Sequence, residues 1–403
     1  MAEGKIWRNI KMNEYLARAK EILPETIRVR RTIHQNGGVG FDLRPTVDFL
    51  KAELKNIGIE AEEIVDCGLT FTIGKGGKTI LLRADIDALP MMERSGEEFA
   101  CTNGSCHSCG HDLHGAGLFA AAKMLKEREN ELEGTVKFMF QPAEETLQGA
   151  KKMVEAGICE GVDAAMAIHV GSGGPKKTGH VHVTRGACYA SGDKVTITVK
   201  GVGGHGAYPH STNDPISIAA SIILNVQRIQ AREIPAQAMS VINFCSIHAG
   251  TAANITPESV EILGTIRTLD SKIREQALKR VKEVAEATAK MYNAEAVVEY
   301  DEANAPPVIN DAELVNQFAE IFKETVGEEN VEVTDNRSVN GSEDFAYVGE
   351  KVPAVMVSCA CGCRDDGYDS PMHNPMVRFD ESGLAYSSAL YASTAFNWLK
   401  RNK

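Results

Sequence analysis

The chain carries no block of basic residues, and its net charge is −12 over 403 residues. Nucleic acid and anionic membrane surfaces are therefore poor partners. No apolar run is long enough to span a bilayer. The first twenty residues are polar and mixed in charge, without the apolar core of a signal peptide. Internal repeats and low-complexity tracts are missing too, which excludes solenoids and disordered arrays. The expectation is an ordinary cytoplasmic globular protein, long enough for two domains.

Cysteine, by contrast, is not scarce: the chain has ten. In a reducing compartment these are expected to be buried, metal-bound or reactive rather than disulfide-paired. Six of them cluster, as Cys101, Cys106 and Cys109 and as Cys359, Cys361 and Cys363.

The pattern of apolar residues predicts helices over 13–35 and 45–57, then strands over 61–65, 69–73 and 79–83. A helix over 115–126 follows, then a strand over 135–140, a helix over 149–156 and a strand over 163–168. Near the other end come a strand over 354–358 and a helix over 381–399. The run Thr79-Ile80-Leu81-Leu82-Arg83 reads as a strand buried on both faces, as in a parallel sheet. Strands alternating with helices imply an α/β fold, a doubly wound mixed sheet with helices on both faces. Ligands of such sheets bind beyond the carboxyl ends of the strands.

Between about 191 and 302 the rhythm changes. Strands are predicted over 193–200, 239–247, 259–267 and 296–300, with helices over 215–230 and 272–291. The order βαββαβ is a ferredoxin-like split sandwich. The expected organisation is a catalytic domain in two parts, 1–190 and 304–403, with an inserted domain at 191–303.

The chemistry centres on Cys109-Gly110-His111-Asp112-Leu113-His114. Thiolate and imidazole both suit zinc and other first-row divalent ions. On an extended segment Cys109 and His111 point to the same side, with His114 displaced onto the helix. Glu144, Glu145 and His169 follow two further apolar strands, and His373 follows a third. Each histidine alone reads more readily as core or surface. Together, at strand ends, they read as ligands. Cys109, His111, Glu145, His169 and His373 exceed the four ligands of a closed zinc site. Five ligands plus water suit two ions about 3.5–4 Å apart. Adjacent residues of extended chain point opposite ways, so Glu145 can bind metal while Glu144 stands off as a general base.

Two weaker signals lie in the inserted domain. Gly201-Val202-Gly203-Gly204-His205 lets backbone approach closely, and His205 could donate to a developing oxyanion. Asn254 and Arg267 could hold a substrate carboxylate. The plain alternatives are a glycine hairpin and a surface charge.

These residues resemble those of a known family, the metal-dependent amidohydrolase branch of the aminoacylase and glutamate-carboxypeptidase peptidases. Its members include hippurate hydrolases, N-acyl-amino-acid amidohydrolases and indole-acetyl-amino-acid hydrolases. The resemblance runs from Arg30-Arg31-Thr32-Ile33-His34 to the final helix. It rests on Leu82-Arg83-Ala84-Asp85-Ile86-Asp87-Ala88-Leu89-Pro90, Cys109-Gly110-His111-Asp112, Gln141-Pro142-Ala143-Glu144-Glu145, His169-Val170, Gly204-His205, Asn254 with Arg267, Gly341-Ser342-Glu343-Asp344-Phe345, and His373. It implies a dinuclear site on the five ligands, with Cys109 bridging and Glu144 as general base on a metal-bridging water. Zinc or manganese is expected, with cobalt or nickel permitted. It further implies that Asp87 orients a ligand. The inserted lid would pair two subunits as a homodimer, taking His205 into the partner's site. Asn254 and Arg267 would hold the substrate carboxylate.

The chain departs from the family pattern in three places. His34-Gln35-Asn36-Gly37-Gly38 replaces the usual His-x-x-Pro-Glu, Asn374 follows His373, and the extra cysteine clusters are not part of the pattern. Those cysteines read as small buried residues, with an additional metal or redox site as the alternative. The expected activity is hydrolysis of the amide bond of an N-acyl amino acid or a similar small conjugate. A dipeptidase or carboxypeptidase on the same centre and an inactive binding protein of the same fold are the alternatives.

Overall fold

The structure, a computed structural model, describes residues 13–335 and 338–403. Most of the polar N-terminal stretch read above, residues 1–12, lies outside the described residues.

Helices α1 (Glu14–Glu21) and α2 (Leu23–Gln35) divide the single helix expected over 13–35. The break falls at Ile22, and Pro24 sits in the first turn of α2, where its missing N–H needs no partner. Then come α3 (Arg44–Asn56), β1 (Glu62–Val65), β2 (Gly68–Gly74), β3 (Lys78–Asp85), α4 (His111–Glu127) and β4 (Gly134–Gln141). They are followed by α5 (Gly149–Glu155), β5 (Ala164–Gly171) and β6 (Val181–Tyr189).

A second group follows: β7 (Asp193–Lys200), β8 (Gly204–His205), α6 (Pro215–Arg232), β9 (Ser240–Ala249), β10 (Ile255–Thr256), β11 (Ser259–Thr268), α7 (Ser271–Met291) and β12 (Glu295–Tyr300). The chain ends in β13 (Val308–Asn310), α8 (Ala312–Val326), β14 (Val331–Asp335), α9 (Ala346–Gly349), β15 (Ala354–Ala360) and α10 (Gly383–Arg401).

Among the described residues, nine strands make one mixed sheet in the order β1-β2-β4-β3-β5-β15-β6-β13, with β14 also on β6. The central strands β4, β3, β5 and β15 are parallel, so their carboxyl ends share one edge. The flanks run antiparallel at β1, β2, β6 and β13. The apolar run in β3 serves both faces, as its unbroken hydrophobicity predicts. Ile80 and Leu82 join the core formed with Ile33, Leu118, Phe318 and Leu390. Leu81 points the other way, onto Met153, Phe345 and Val348.

The second group forms a separate antiparallel sheet in the order β12-β7-β11-β9. It has its own core, where Ile197, Val199 and Ile262 meet Ile222, Val226 and Val281 of α6 and α7. Strands β8 and β10 pair apart from it as a short ribbon, with His205 opposite Ile255.

Candidate metal centre and active site

The sequence reading placed Cys109 and His111 on the same side of an extended segment. The structure joins them differently. Gly110 is left-handed, with φ 85°, and helix α4 begins at His111. The thiol and the imidazole therefore meet across a turn rather than by strand alternation. A Cβ at position 110 would lie 2.5 Å from Val170 Cγ2, so only glycine fits this turn. His114 lies on the first turns of α4 and is fully engaged. Its Nδ1 bonds the Asp85 carboxylate, and its Nε2 accepts from the Val170 amide at 2.8 Å.

His169 lies within β5 rather than after it, because the strand runs three residues beyond the expected end at 168. Cys109 Sγ stands 3.4 Å from His169 Nε2 and 3.3 Å from His373 Nε2. Two trios result, Cys109 with His111 and His169, and Cys109 with Glu145 and His373. Within each trio the donor atoms lie within 4.8 Å of one another. Glu145 Oε1 is 3.5 Å from His373 Nε2 and 4.0 Å from His111 Nε2. The five candidate ligands thus converge, with Cys109 common to both trios. Glu144 is 6 % exposed, with Oε2 3.9 Å from His111 Nε2.

The tautomers follow from the partners. His169 Nδ1 faces the Val170 carbonyl at 2.7 Å, and His111 Nδ1 faces the Asp87 carbonyl at 3.0 Å. A carbonyl only accepts, so both Nδ1 atoms carry the proton and both Nε2 atoms keep the lone pair a metal needs. Asp87 ties the two trios together. Its Oδ1 lies 3.2 Å from His111 Nδ1, and its Oδ2 accepts from the Glu145 amide at 3.1 Å.

Two donor atoms, His111 Nε2 and Glu145 Oε1, are buried with no hydrogen-bond partner among the described residues. Buried polar atoms are ordinarily paired, and leaving one bare costs about 1–3 kcal/mol. The electrostatics point the same way. Burial, reinforced by Cys109 and Asp87, outweighs His111 and His373 and pushes Glu145 up to about 8. Burial would raise the Cys109 thiol, but His169 and His111 hold it well below its usual value. Burial also raises Glu144 well above the carboxylate range, and Glu343, Asp344 and Glu145 add to this. The histidines beside these carboxyls do not offset burial, and bound divalent ions are the largest local charges a site can acquire. Sulfur, imidazole and carboxylate donors, two of them bare, fit a pair of such ions.

Sequence reasoning assigned no role to Arg83, which lies behind the site. Arg83, buried near the carboxyl end of β3, donates to Gln141 Oε1 at 2.8 Å and to Glu343 Oε1 at 2.9 Å. It also pairs with Asp85 Oδ2 at 2.9 Å and Asp344 Oδ1 at 3.3 Å. Its place in an apolar strand predicts burial, but nothing local predicts which carboxylates it meets. Backbone strain gathers here as well. Ala143, Leu147 and His373 adopt positive φ values of 56°, 54° and 61° without being glycine. Such conformations persist where surrounding structure dictates them, often at functional sites.

The cluster opens into a cavity of about 610 Å3 that Arg267, Lys194 and Tyr189 also line. Arg267 Nη1 donates to Ser342 Oγ at 2.7 Å. His205 and Asn254 do not line this cavity. Both are exposed, held together where the Gly206 amide donates to the Asn254 carbonyl at 2.8 Å. The ten cysteines are unpaired, and Cys101, Cys106, Cys359, Cys361 and Cys363 are buried.

Residues 81–397 match the model of peptidase family M20/M25/M40. The chain belongs to that family. It is a hydrolase, as the members of this peptidase family are. It is 34% identical over 390 residues to the IAA-amino acid hydrolase ILR1-like 2 of Arabidopsis thaliana, covering 95% of this chain and 87% of that one. It is 35% identical to thermostable carboxypeptidase 2 of Saccharolobus solfataricus, covering 94% and 96%. A Bacillus subtilis structure described as a dinuclear metal binding peptidase from the M20 family superposes with a TM-score of 0.79. That protein is 30% identical, with 94% of this chain and 99% of the other covered. The mixed α/β sheet architecture expected from the sequence agrees with that neighbour. No helix among the described residues is long and apolar enough to cross a membrane.

Proposed function

We propose that the protein hydrolyses the amide bond of N-acyl amino acids or similar small amino-acid conjugates at a two-ion centre held by Cys109, His111, Glu145, His169 and His373. The sharing of Cys109 between two donor trios, with Glu144 close by, is the observation that carries this reading. Two divalent ions, zinc or manganese in first place and cobalt or nickel permitted, would acidify a water and polarise the substrate carbonyl. Glu144 takes the proton of the attacking water and returns it to the leaving amine. The O–H proton lost by water thus becomes the new N–H as the C–N bond breaks. Asp87 holds His111 and the Glu145 backbone in register. Arg267 receives the substrate carboxylate from across the cavity.

We place the catalytic domain at 1–190 and 304–403 and a lid and dimerisation domain at 191–303. The separate core of the second sheet supports this division. In a homodimer formed through that domain, His205 and Asn254 would enter the partner's cavity, His205 to stabilise the oxyanion. The exposed Val202, Tyr208 and Ile255 beside them offer apolar area for such a contact. Small-molecule substrates, rather than nucleic acid or membrane, fit the acidic balance. The unpaired cysteines support a cytoplasmic setting.

A second reading, a carboxypeptidase or dipeptidase on the same centre, is favoured by the resemblance to the carboxypeptidase. The deciding assay uses metal-depleted protein, with each ion restored in turn, on acyl amino acids and free dipeptides. Turnover of acyl amino acids is expected. Turnover of dipeptides alone would select the second reading.

A further inference from the structure

Tyr189 is the last residue of β6, and backbone pairing fixes its position. It pairs with Val308 of β13, and the following amide, that of Ala190, donates to the Val339 carbonyl at 3.1 Å and the Gly341 carbonyl at 3.0 Å. Its ring lies beside Gly341, where an added Cβ would stand 3.8 Å from Cδ1. The ring centroid is 6.5 Å from that of His169.

A second cavity, of about 330 Å3, opens beside the larger one. Among the described residues, only His169, Tyr189 and Met372 line both, so the two cavities meet at the cluster. His169 is a candidate metal ligand, and the Met372 thioether has no hydrogen to donate. Tyr189 is the one of the three that brings an uncommitted donor to the junction. Phenols inside a protein ordinarily find a partner. Those of Tyr391, Tyr347 and Tyr300 each donate to a backbone carbonyl. The Tyr189 hydroxyl makes no hydrogen bond to a described residue. Burial, with Cys188, Glu343, Cys109 and Glu144 around it, holds this phenol well above its usual value, so it keeps its proton at neutral pH.

We infer that Tyr189 is a catalytic residue, its phenol donating a hydrogen bond to the oxyanion of the tetrahedral intermediate. The inference rests on the amide-hydrolysis reading above. The scissile carbonyl reacts at the cluster, and a donor already in place there stabilises the charge developing on its oxygen without reorganising. Arg267 and Lys194 line the larger cavity alone, and His205 lines neither. Tyr189 supplies the donor from within the same chain. The phenol keeps its proton throughout. The proton of the attacking water still passes through Glu144 to the leaving amine, so the balance of the reaction is unchanged.

The test compares the metal-loaded natural enzyme with Tyr189→Phe, which removes only the hydroxyl. No hydrogen bond to a described residue is lost, so metal content and urea midpoint should match the natural chain. On the acyl amino acid or dipeptide that the natural enzyme turns over fastest, kcat should fall about 100-fold with KM little changed. A phosphinic analogue of that substrate, with a tetrahedral P–O− group in place of the oxyanion, gives a readout without turnover. Calorimetry should find it bound about 10–100-fold more weakly by Tyr189→Phe, with the product amino acid bound as before. A general loss of structure would weaken both ligands alike and would count against the assignment. A kcat within about threefold of the natural value would overturn it, as would a raised KM at unchanged kcat, which marks a ground-state contact. A natural chain that hydrolyses no amide would bring down the amide-hydrolysis reading. One that does, beside an unimpaired Tyr189→Phe, would bring down the role of Tyr189 alone.

Discussion

Cys109 Sγ and His373 Nε2 stand 3.3 Å apart although 264 positions of sequence separate them. The contact closes one trio, while Cys109 belongs to both. Removing the sulfur should therefore cost both ions, and removing the imidazole one. Metal analysis of purified protein should give two equivalents for the natural chain, one for His373→Ala and fewer than one for Cys109→Ala. Two equivalents retained in Cys109→Ala would show that the sulfur is not shared.

Glu144 touches the cluster but is not needed to complete either trio. Glu144→Gln should keep both metal equivalents and lose turnover by about 10²–10⁴-fold, the usual contribution of a positioned base. Initial rates together with metal content check this. Activity within tenfold of the natural enzyme would assign the proton transfer elsewhere.

Arg267 is half-buried at the cavity wall, its guanidinium held toward Ser342. A charge-assisted hydrogen bond is worth about 1.5–3 kcal/mol. Arg267→Ala should thus raise KM about 10–100-fold for substrates with a free carboxylate. It should change little for the corresponding carboxamides. Steady-state kinetics on matched pairs decide it, and equal losses on both would count against carboxylate recognition.

Arg83 balances Asp85, Glu343 and Asp344 within the protein interior. Arg83→Met leaves three buried carboxylates without their counter-charge. Loss of one partner of a buried pair typically destabilises by about 3–5 kcal/mol. Urea unfolding of the metal-free variant should show a loss of that size. A change under 1 kcal/mol would mean water or rearrangement compensates.

His34 is buried between two carboxylates, with Nδ1 2.8 Å from Asp112 Oδ2 and Nε2 2.9 Å from Glu93 Oε2. Burial alone would lower it, but Asp112 and Glu93 outweigh burial and lift it to about 9. The folded value lies above the unfolded 6.5. The stabilisation is therefore fully present below about pH 6.5 and lost as pH rises through about 9. The stability gap between the natural chain and His34→Gln should be about 3 kcal/mol near pH 6 and shrink by pH 10. Urea midpoints across that range measure it, and a gap independent of pH would refute the charged pairing.

Many of the helices and strands were legible because their signal is local, but β6, β13, α8 and β14 were not read from the sequence. Periodicity located the β3 run and the alternation of β7 to within a residue or two. The five donors were legible for a related reason. Ligand chemistry is restricted to a few residue types, and those types recur where apolar strands end.

Conformation and pairing at the site were not legible. The left-handed Gly110 depends on Val170 pressing from another strand, so no local pattern announces it. Arg83 reads as buried with its strand, but its partner Glu343, 260 positions away, is not readable from the sequence. His205, Asn254 and Arg267 read alike as substrate residues, yet within one chain only Arg267 lines the cavity. Residue order by itself determined many of the segments that form elements and which side chains have the chemistry to hold metal, because both are properties of short stretches. Which of those side chains share a space and how Asp87 binds their two halves together were decided only by the tertiary structure, because distance between remote segments is set by the packing of the whole sheet.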